Sequence, residues 1–218
     1  MRPVDLRLYA IADPAAMGAR DPVEAALAAV RGGATLVQLR DKRGDARATV
    51  ALARRLKAAL PATVPLVIND RVDVAAVAGA DGVHLGQEDL SPAGARALLG
   101  DDAIVGLSVH HPHEAASDAR IDYVGLGPAF ATASKHPRDV PLGPEGLARL
   151  LGAVRERLGA LPACAIAGID AARAPAVIGA GVDGVAVIAA LFHSRDVEAA
   201  ARRLRAAVDA ALFARSRP

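Results

Sequence analysis

The sequence predicts an α/β fold closed as a single (β/α)8 barrel of the TIM type, with residues 1–218 forming one domain. Three observations carry this. Eight short apolar runs alternate in regular order with longer helical patterns. Several of the runs are continuously apolar, as expected of strands in a parallel sheet covered on both faces. A weak internal repeat, GGATLVQL, GADGVHL and GVDGVAV, each time sets glycine at a helix end, then a short turn, then a strand. An open doubly wound sheet is the alternative; no GxGxxG follows the first run, and no linker or low-complexity segment divides the chain.

In chain order, LYAIA (8–12) opens the barrel between Arg7 and Asp13, and is far too short for a signal-peptide core or a membrane span. LVQLR (36–40), PLVIND (65–70), GVHLG (82–86) and IVGLSV (104–109) supply the next four strands. HHPHEA (110–115) reads as a helix start, with Pro112 near the first turn. YVGLGP (123–128) is the sixth strand, followed by a helix whose apolar stripe is Leu147, Leu150, Leu151, Val154 and Leu158. ACAIAG (163–168) and GVAVIA (184–189) complete the ring, LFHS (191–194) predicts a short helix, and Val197, Ala201, Leu204, Val208 and Leu212 mark the last long one.

Composition narrows the function classes. At 53% hydrophobic with only three Phe, two Tyr and no Trp, the core is built from Ala, Val, Leu and Ile, which argues against a base-stacking surface. Twenty-six Lys and Arg against 24 Asp and Glu leave a net charge of +2 and no basic tract. The densest cluster, Arg202, Arg203 and Arg205, has Glu198 and Asp209 four residues from Arg202 and Arg205, which is ordinary helix-surface pairing and excludes a nucleic-acid role. The single Cys164 sits in the apolar run PACAIAG, reads as a buried thiol, and places the chain in the cytoplasm with no membrane association.

In a parallel barrel the residues just past each strand converge on one mouth. Here they are polar: Gln38, Arg40 and Lys42 after the second run, Asn69 and Asp70 after the third, Gln87, Glu88 and Asp89 after the fourth, Ser108 and His110 after the fifth, and Thr132, Ser134 and Lys135 after the sixth. Any one of these is ordinary as a solvated loop charge; their recurrence at strand ends points to a site. Arg40, Lys42 and Lys135 suit a polyphosphate, and Asp70 and Asp89 suit a magnesium ion bridging its oxygens. Gly168 and the amides near Ala189 and Ala190 offer a monophosphate cradle, although Gly168 reads equally as a simple turn. His110, His111 and His113 imitate a zinc cluster but fit the helix start better, and His84 reads as structural.

The ordered set QLRDK, INDRVD, GADGVHLGQEDL, GLGPAFATASK, AIAGI and GVAVIAAL, spread over nearly the whole chain, resembles thiamine-phosphate synthase. The resemblance implies that a hydroxymethylpyrimidine diphosphate loses pyrophosphate and its methylene carbon is taken by the nitrogen of a thiazole phosphate, with Mg2+ as cofactor and these small molecules as partners. It implies that Gln38, Arg40, Lys42, Asn69, Ser108 and Lys135 bind the pyrimidine diphosphate, with Lys135, Arg40 and Ser108 as the catalytic set. Asp70 and Asp89 are then the metal ligands, and Thr132, Ser134, Gly168, Ile188 and Ala189 hold the thiazole phosphate. Two positions depart from the family pattern: its usual Gly-Gly is Ala167-Gly168, and a common Ser is Ala189. The alternatives are a thiazole tautomerase-like isomerase, against which Asp70 and Asp89 argue, and a non-catalytic ligand-binding relative.

Overall fold

The computed structural model describes residues 4–132 and 140–217. Eight parallel strands close into a barrel in sequence order: β1 Leu8–Ala12, β2 Leu36–Leu39, β3 Leu66–Asn69, β4 Gly82–Leu85, β5 Ile104–Val109, β6 Tyr123–Leu126, β7 Ala163–Ile166 and β8 Gly184–Val187. The ring is completed by β8 pairing with β1, Leu8 standing beside Val185 and Ala10 beside Val187. Each strand falls inside one of the eight apolar runs.

The helices are α1 Pro14–Met17, α2 Pro22–Arg31, α3 Ala46–Ala59, α4 Val72–Ala78, α5 Pro92–Leu99, α6 Gly143–Leu158, α7 Ala174–Gly179, α8 Ala189–Phe192 and α9 Val197–Arg215. Their starts are chemically marked: Asp21, Asp45, Ser91 and Asp196 each accept a hydrogen bond from a first-turn amide, satisfying donors that have no partner inside the helix. Along α6 the stripe Leu147, Leu150, Leu151 and Val154 is buried, and along α9 Val197, Ala201, Leu204 and Val208. The cluster on α9 pairs as its spacing requires, Arg202 with Glu198 at 2.7 Å and Arg205 with Asp209 at 2.9 Å.

Two expectations are corrected. HHPHEA does start a helix, with Glu114 accepting the amides of His110 and His111, but it is a single 3-10 turn, Pro112–Glu114, that ends where Ala115 leaves the helical region at ψ 63. The short helix near LFHS begins two residues earlier, at Ala189. Where no α-helix covers the β5–β6 connection, a buried ion pair does the tying. Arg96 of α5 donates to Asp122 at 2.8 Å and to the carbonyls of Asp101, Ala103 and Arg120, while Asp122 accepts the amide of Val105.

The core has two parts. One lies between strands and helices and is almost wholly Ala, Val, Leu and Ile. The other fills the inside of the barrel with Leu6, Tyr9, Leu36, Val67, Tyr123, Cys164, Ile166 and Ala186. Cys164 is buried there, and burial pushes its thiol up to about 12, so it stays a protonated, unreactive filler. Among the described residues, no helix is long and apolar enough to cross a membrane.

Candidate active site at the barrel mouth

Above the inner core, at the carboxyl ends of the strands, lies a cavity of about 400 Å³. Its walls include Gln38, Arg40, Asn69, Ser108, Thr132, Gly168, Ile188 and Ala189, so eight of the residues singled out in the sequence converge on one space. One side is apolar, with Ile11, Ile166, Ile169 and Val187, and suits flat heterocycles. Ser134 and Lys135 lie outside the described residues.

Lys42, Asp70 and Asp89 do not line that cavity; they form a charged cluster of their own. The ammonium of Lys42 is ion-paired with Asp70. Asp89 accepts the amide of Gly86 at 2.6 Å and is near enough to Asp70 to feel its charge. Burial, and then the neighbouring charge of Asp70, push the Asp89 carboxyl above the ordinary carboxylate range, with Lys42 opposing. Asp70 itself sits at φ +61, a left-handed conformation that Asp tolerates better than most residues and that sets its side chain apart from β3. Two adjoining carboxylates whose mutual repulsion one lysine leaves partly unrelieved fit a hard divalent cation, which magnesium satisfies with one or two carboxylates and retained waters. Among the described residues no group of three or more His, Cys, Asp and Glu could hold a metal. The histidine segment is accounted for otherwise: His110 Nδ1 is 2.6 Å from the Gly127 carbonyl, and His111 and His113 stack on each other at 5.4 Å.

Four residues of the site were missed in the sequence. Asp13, at the end of β1 and only 8% exposed, is ion-paired with Arg40. Tyr9, Tyr123 and His84 form a hydrogen-bonded chain beneath the cavity, and His84, read above as structural, lines the cavity and meets Ser108. The available signal was polar atoms inside otherwise apolar strands, whose partners only the barrel register supplies.

The turn after β7 explains the glycine question. Ala167 and Gly168 are both left-handed, at φ +76 and +67. A Cβ on Gly168 would stand 2.7 Å from the Ala131 carbonyl and 2.8 Å from the Phe130 Cβ. Arg173 seals this packing, donating to the Gly168 carbonyl at 2.7 Å and lying over the Phe130 ring at 5.0 Å. Gly168 is therefore required by the approach of the loop after β6, whatever its role toward a ligand.

A (β/α)8 barrel with a cavity at the mouth formed by the carboxyl ends of its strands, a charged rim and an acidic pair beside it places the protein in the class of TIM-barrel enzymes. The sequence matches the family described as thiamine monophosphate synthase over residues 8–191, and the chain belongs to that family. It is 47% identical over 218 residues to the thiamine-phosphate synthase of Agrobacterium fabrum, with 99% of each chain covered. It is 51% identical over 213 residues to that of Xanthobacter autotrophicus, covering 96% of this chain and 99% of the relative. Among solved structures, thiamine phosphate pyrophosphorylase from Pyrococcus furiosus superposes with a TM-score of 0.84 at 33% identity, covering 96% of this chain and 98% of that one. None of these relatives supports the tautomerase alternative.

Proposed function

We propose that this chain joins hydroxymethylpyrimidine diphosphate to a thiazole phosphate, giving thiamine phosphate and pyrophosphate, with magnesium held by Asp70 and Asp89. The observation that carries the reading is the placement of Arg40 on the cavity wall and of the Lys42–Asp70–Asp89 cluster beside it. That arrangement separates a space for rings from a place for a charged leaving group.

The reaction breaks the bond between the pyrimidine methylene carbon and the diphosphate oxygen, which departs with the electron pair. The thiazole nitrogen then donates its lone pair to that carbon. Little proton transfer is needed, so the work of the site is orientation and charge stabilisation. Gln38, Asn69 and Ser108 would hold the aminopyrimidine, and Arg40 and Lys42 would bind the diphosphate and stabilise the charge that grows on it. By family resemblance Lys135 joins them. When bound, magnesium would neutralise part of the leaving group's charge.

The thiazole phosphate would lie across the cavity, against Thr132, Gly168, Ile188 and Ala189, with Ser134 contributing by resemblance. The amides of Ala189 and Ala190, at the start of α8, would add to this cradle. Lys42, ion-paired with Asp70 here, would turn to the diphosphate, and Asp70 would then be one of the two carboxylates that hold the cation.

The test is direct: purified protein is mixed with both substrates and magnesium, and thiamine phosphate is measured, then measured again after chelation. Product that appears only with magnesium is expected. Absence of product over a range of substrate and metal concentrations overturns the assignment, and product undiminished by chelation overturns the role of Asp70 and Asp89.

A further inference from the structure

A continuous chain of buried hydrogen bonds crosses the inside of the barrel. The Gln38 side-chain nitrogen donates to the Tyr9 hydroxyl at 2.5 Å, the Tyr9 and Tyr123 hydroxyls are 2.8 Å apart, Tyr123 meets His84 Nδ1 at 2.9 Å, and His84 Nε2 meets Ser108 Oγ at 2.9 Å. Both ends, and Tyr9 and His84 between them, line the cavity. The rings are locked in place. Tyr9 and Tyr123 pack edge to face at 5.8 Å, His84 stacks on Tyr123 at 5.5 Å, and Gly106 leaves the space that Tyr123 needs, since a Cβ there would stand 2.1 Å from its Cζ.

Proton counting gives such a chain a direction. An amide nitrogen can only donate, so Tyr9 accepts from Gln38 and spends its single proton on Tyr123. Tyr123 in turn spends its proton on His84 Nδ1, which leaves the imidazole proton on Nε2, donated to Ser108. Burial pushes both phenols well up, so each keeps the one proton this count requires. Ser108 Oγ has no other hydrogen-bond partner among the described residues, so its own proton is turned to the cavity. At the far end, the Gln38 carbonyl oxygen is left to accept and the second amide hydrogen to donate.

We infer that Tyr9, Tyr123 and His84 are positioning residues that free the Ser108 proton for a ring acceptor and leave the Gln38 carbonyl to a ring donor, favouring a ring that offers both. This deepens the function proposed above: an aminopyrimidine, with its exocyclic amine next to a ring nitrogen, has that pattern. Its 4-oxo counterpart, with a carbonyl next to a ring N–H, has the reverse. Because each hydroxyl has one proton, the chain reverses only as a whole, and reversal would spend the Ser108 proton on His84 and leave no donor for a ring acceptor at that end.

The first test is nitrogen-15 NMR of the histidine ring nitrogens in the ligand-free protein, with His84 assigned by the loss of its signals in His84→Gln. The expected result is a neutral ring protonated at Nε2. A proton on Nδ1, or an imidazolium at neutral pH, overturns the direction of the chain. The second compares binding of the aminopyrimidine diphosphate and its 4-oxo counterpart, both with magnesium. Wild type should prefer the amino compound, and Tyr123→Phe, which lets the His84 proton move to either nitrogen, should lose at least about tenfold of that preference while binding thiazole phosphate as before. Unchanged preference in folded Tyr123→Phe overturns the inference. The NMR result does not depend on the reaction, so a wild-type protein that binds neither diphosphate overturns the proposed function and the selection of the ring, while the direction of the chain is judged by the tautomer alone.

Discussion

Asp13 at the end of β1 holds Arg40 at the end of β2, and does so with one oxygen while its other accepts the amide of Ala15 at 2.9 Å to cap α1. One carboxylate thus orients the cation proposed to receive the diphosphate and anchors the loop beside it. The two roles are separable by substitution.

Asp13→Asn keeps an oxygen for the cap but removes the charge opposite Arg40. We expect little change in stability and a fall in kcat/KM of about ten- to a hundredfold, since a hydrogen bond to a charged group is worth roughly 1.5 to 3 kcal/mol. Asp13→Ala should show the same kinetic loss and also unfold more easily, by about 1 kcal/mol for the lost cap. Wild-type kinetics in Asp13→Asn would show that Arg40 is held well enough by the rest of the mouth.

Asp70→Asn and Asp89→Asn should each lose most turnover and weaken magnesium binding measured by calorimetry, with folding intact. Asn is the informative replacement at position 70, because φ there is +61 and Asn adopts that region more readily than Ala. A variant with near-normal activity at low magnesium removes that carboxylate from the metal site.

The raised Asp89 carboxyl gives magnesium binding a pH dependence. A protonated carboxyl does not ligate, and because burial and Asp70 hold the Asp89 pKa above the ordinary range, the proton competes at less acid pH than for an isolated aspartate. Magnesium affinity of the substrate-free protein should begin to fall above the usual carboxylate range as pH is lowered. The stability sign is opposite to that of a salt-bridged aspartate: a raised folded pKa means the ionised form costs stability at neutral pH, and the cost is relieved as pH falls through the folded pKa. Affinity flat down to the ordinary aspartate range would contradict the assignment.

The turn at Ala167-Gly168 separates strain from packing. Ala167 occupies φ +76, which costs an L-residue roughly 1–2 kcal/mol. Ala167→Gly relieves this but frees the unfolded chain by about 0.4–1 kcal/mol, for a net gain of about 1 kcal/mol in a denaturant melt. Gly168→Ala should instead destabilise, because its Cβ meets the backbone of Phe130 and Ala131 and its φ is +67. Ala189→Ser, at an exposed position, should leave stability unchanged and tighten thiazole-phosphate binding by at most roughly 0.5 to 1.5 kcal/mol. A loss of stability in Ala167→Gly would show that the alanine methyl is packed to advantage.

Arg96→Ala leaves Asp122 charged and buried with the β5–β6 connection untied. We expect a loss of about 3–5 kcal/mol in unfolding free energy. A loss under 1 kcal/mol would mean that water reaches Asp122 and replaces the guanidinium.

Much of the molecule was legible in the chain. Apolar runs located every strand, because a strand buried on both faces tolerates few polar atoms, and the polar residues after those runs located most of the mouth, because a parallel barrel brings strand ends together. Arg40, Asn69 and Ser108 were found this way. That the helix start at HHPHEA would stop after the single 3-10 turn Pro112–Glu114 was not, since Pro112 near a first turn and a capping Glu114 suit an α-helix and a 3-10 turn alike.

What the sequence determined by itself is therefore the architecture and the address of the site: the repeat of strand and helix, the closed ring, and the list of charges at its carboxyl end. Only the tertiary structure decided how those charges are shared. It set Lys42 against Asp70, Asp13 against Arg40, and Gln38 in line with Ser108 through Tyr9, Tyr123 and His84. Periodicity says which face of a strand is inward, but a hydrogen bond depends on the stagger between strands far apart in sequence, and that stagger is set by closing the barrel.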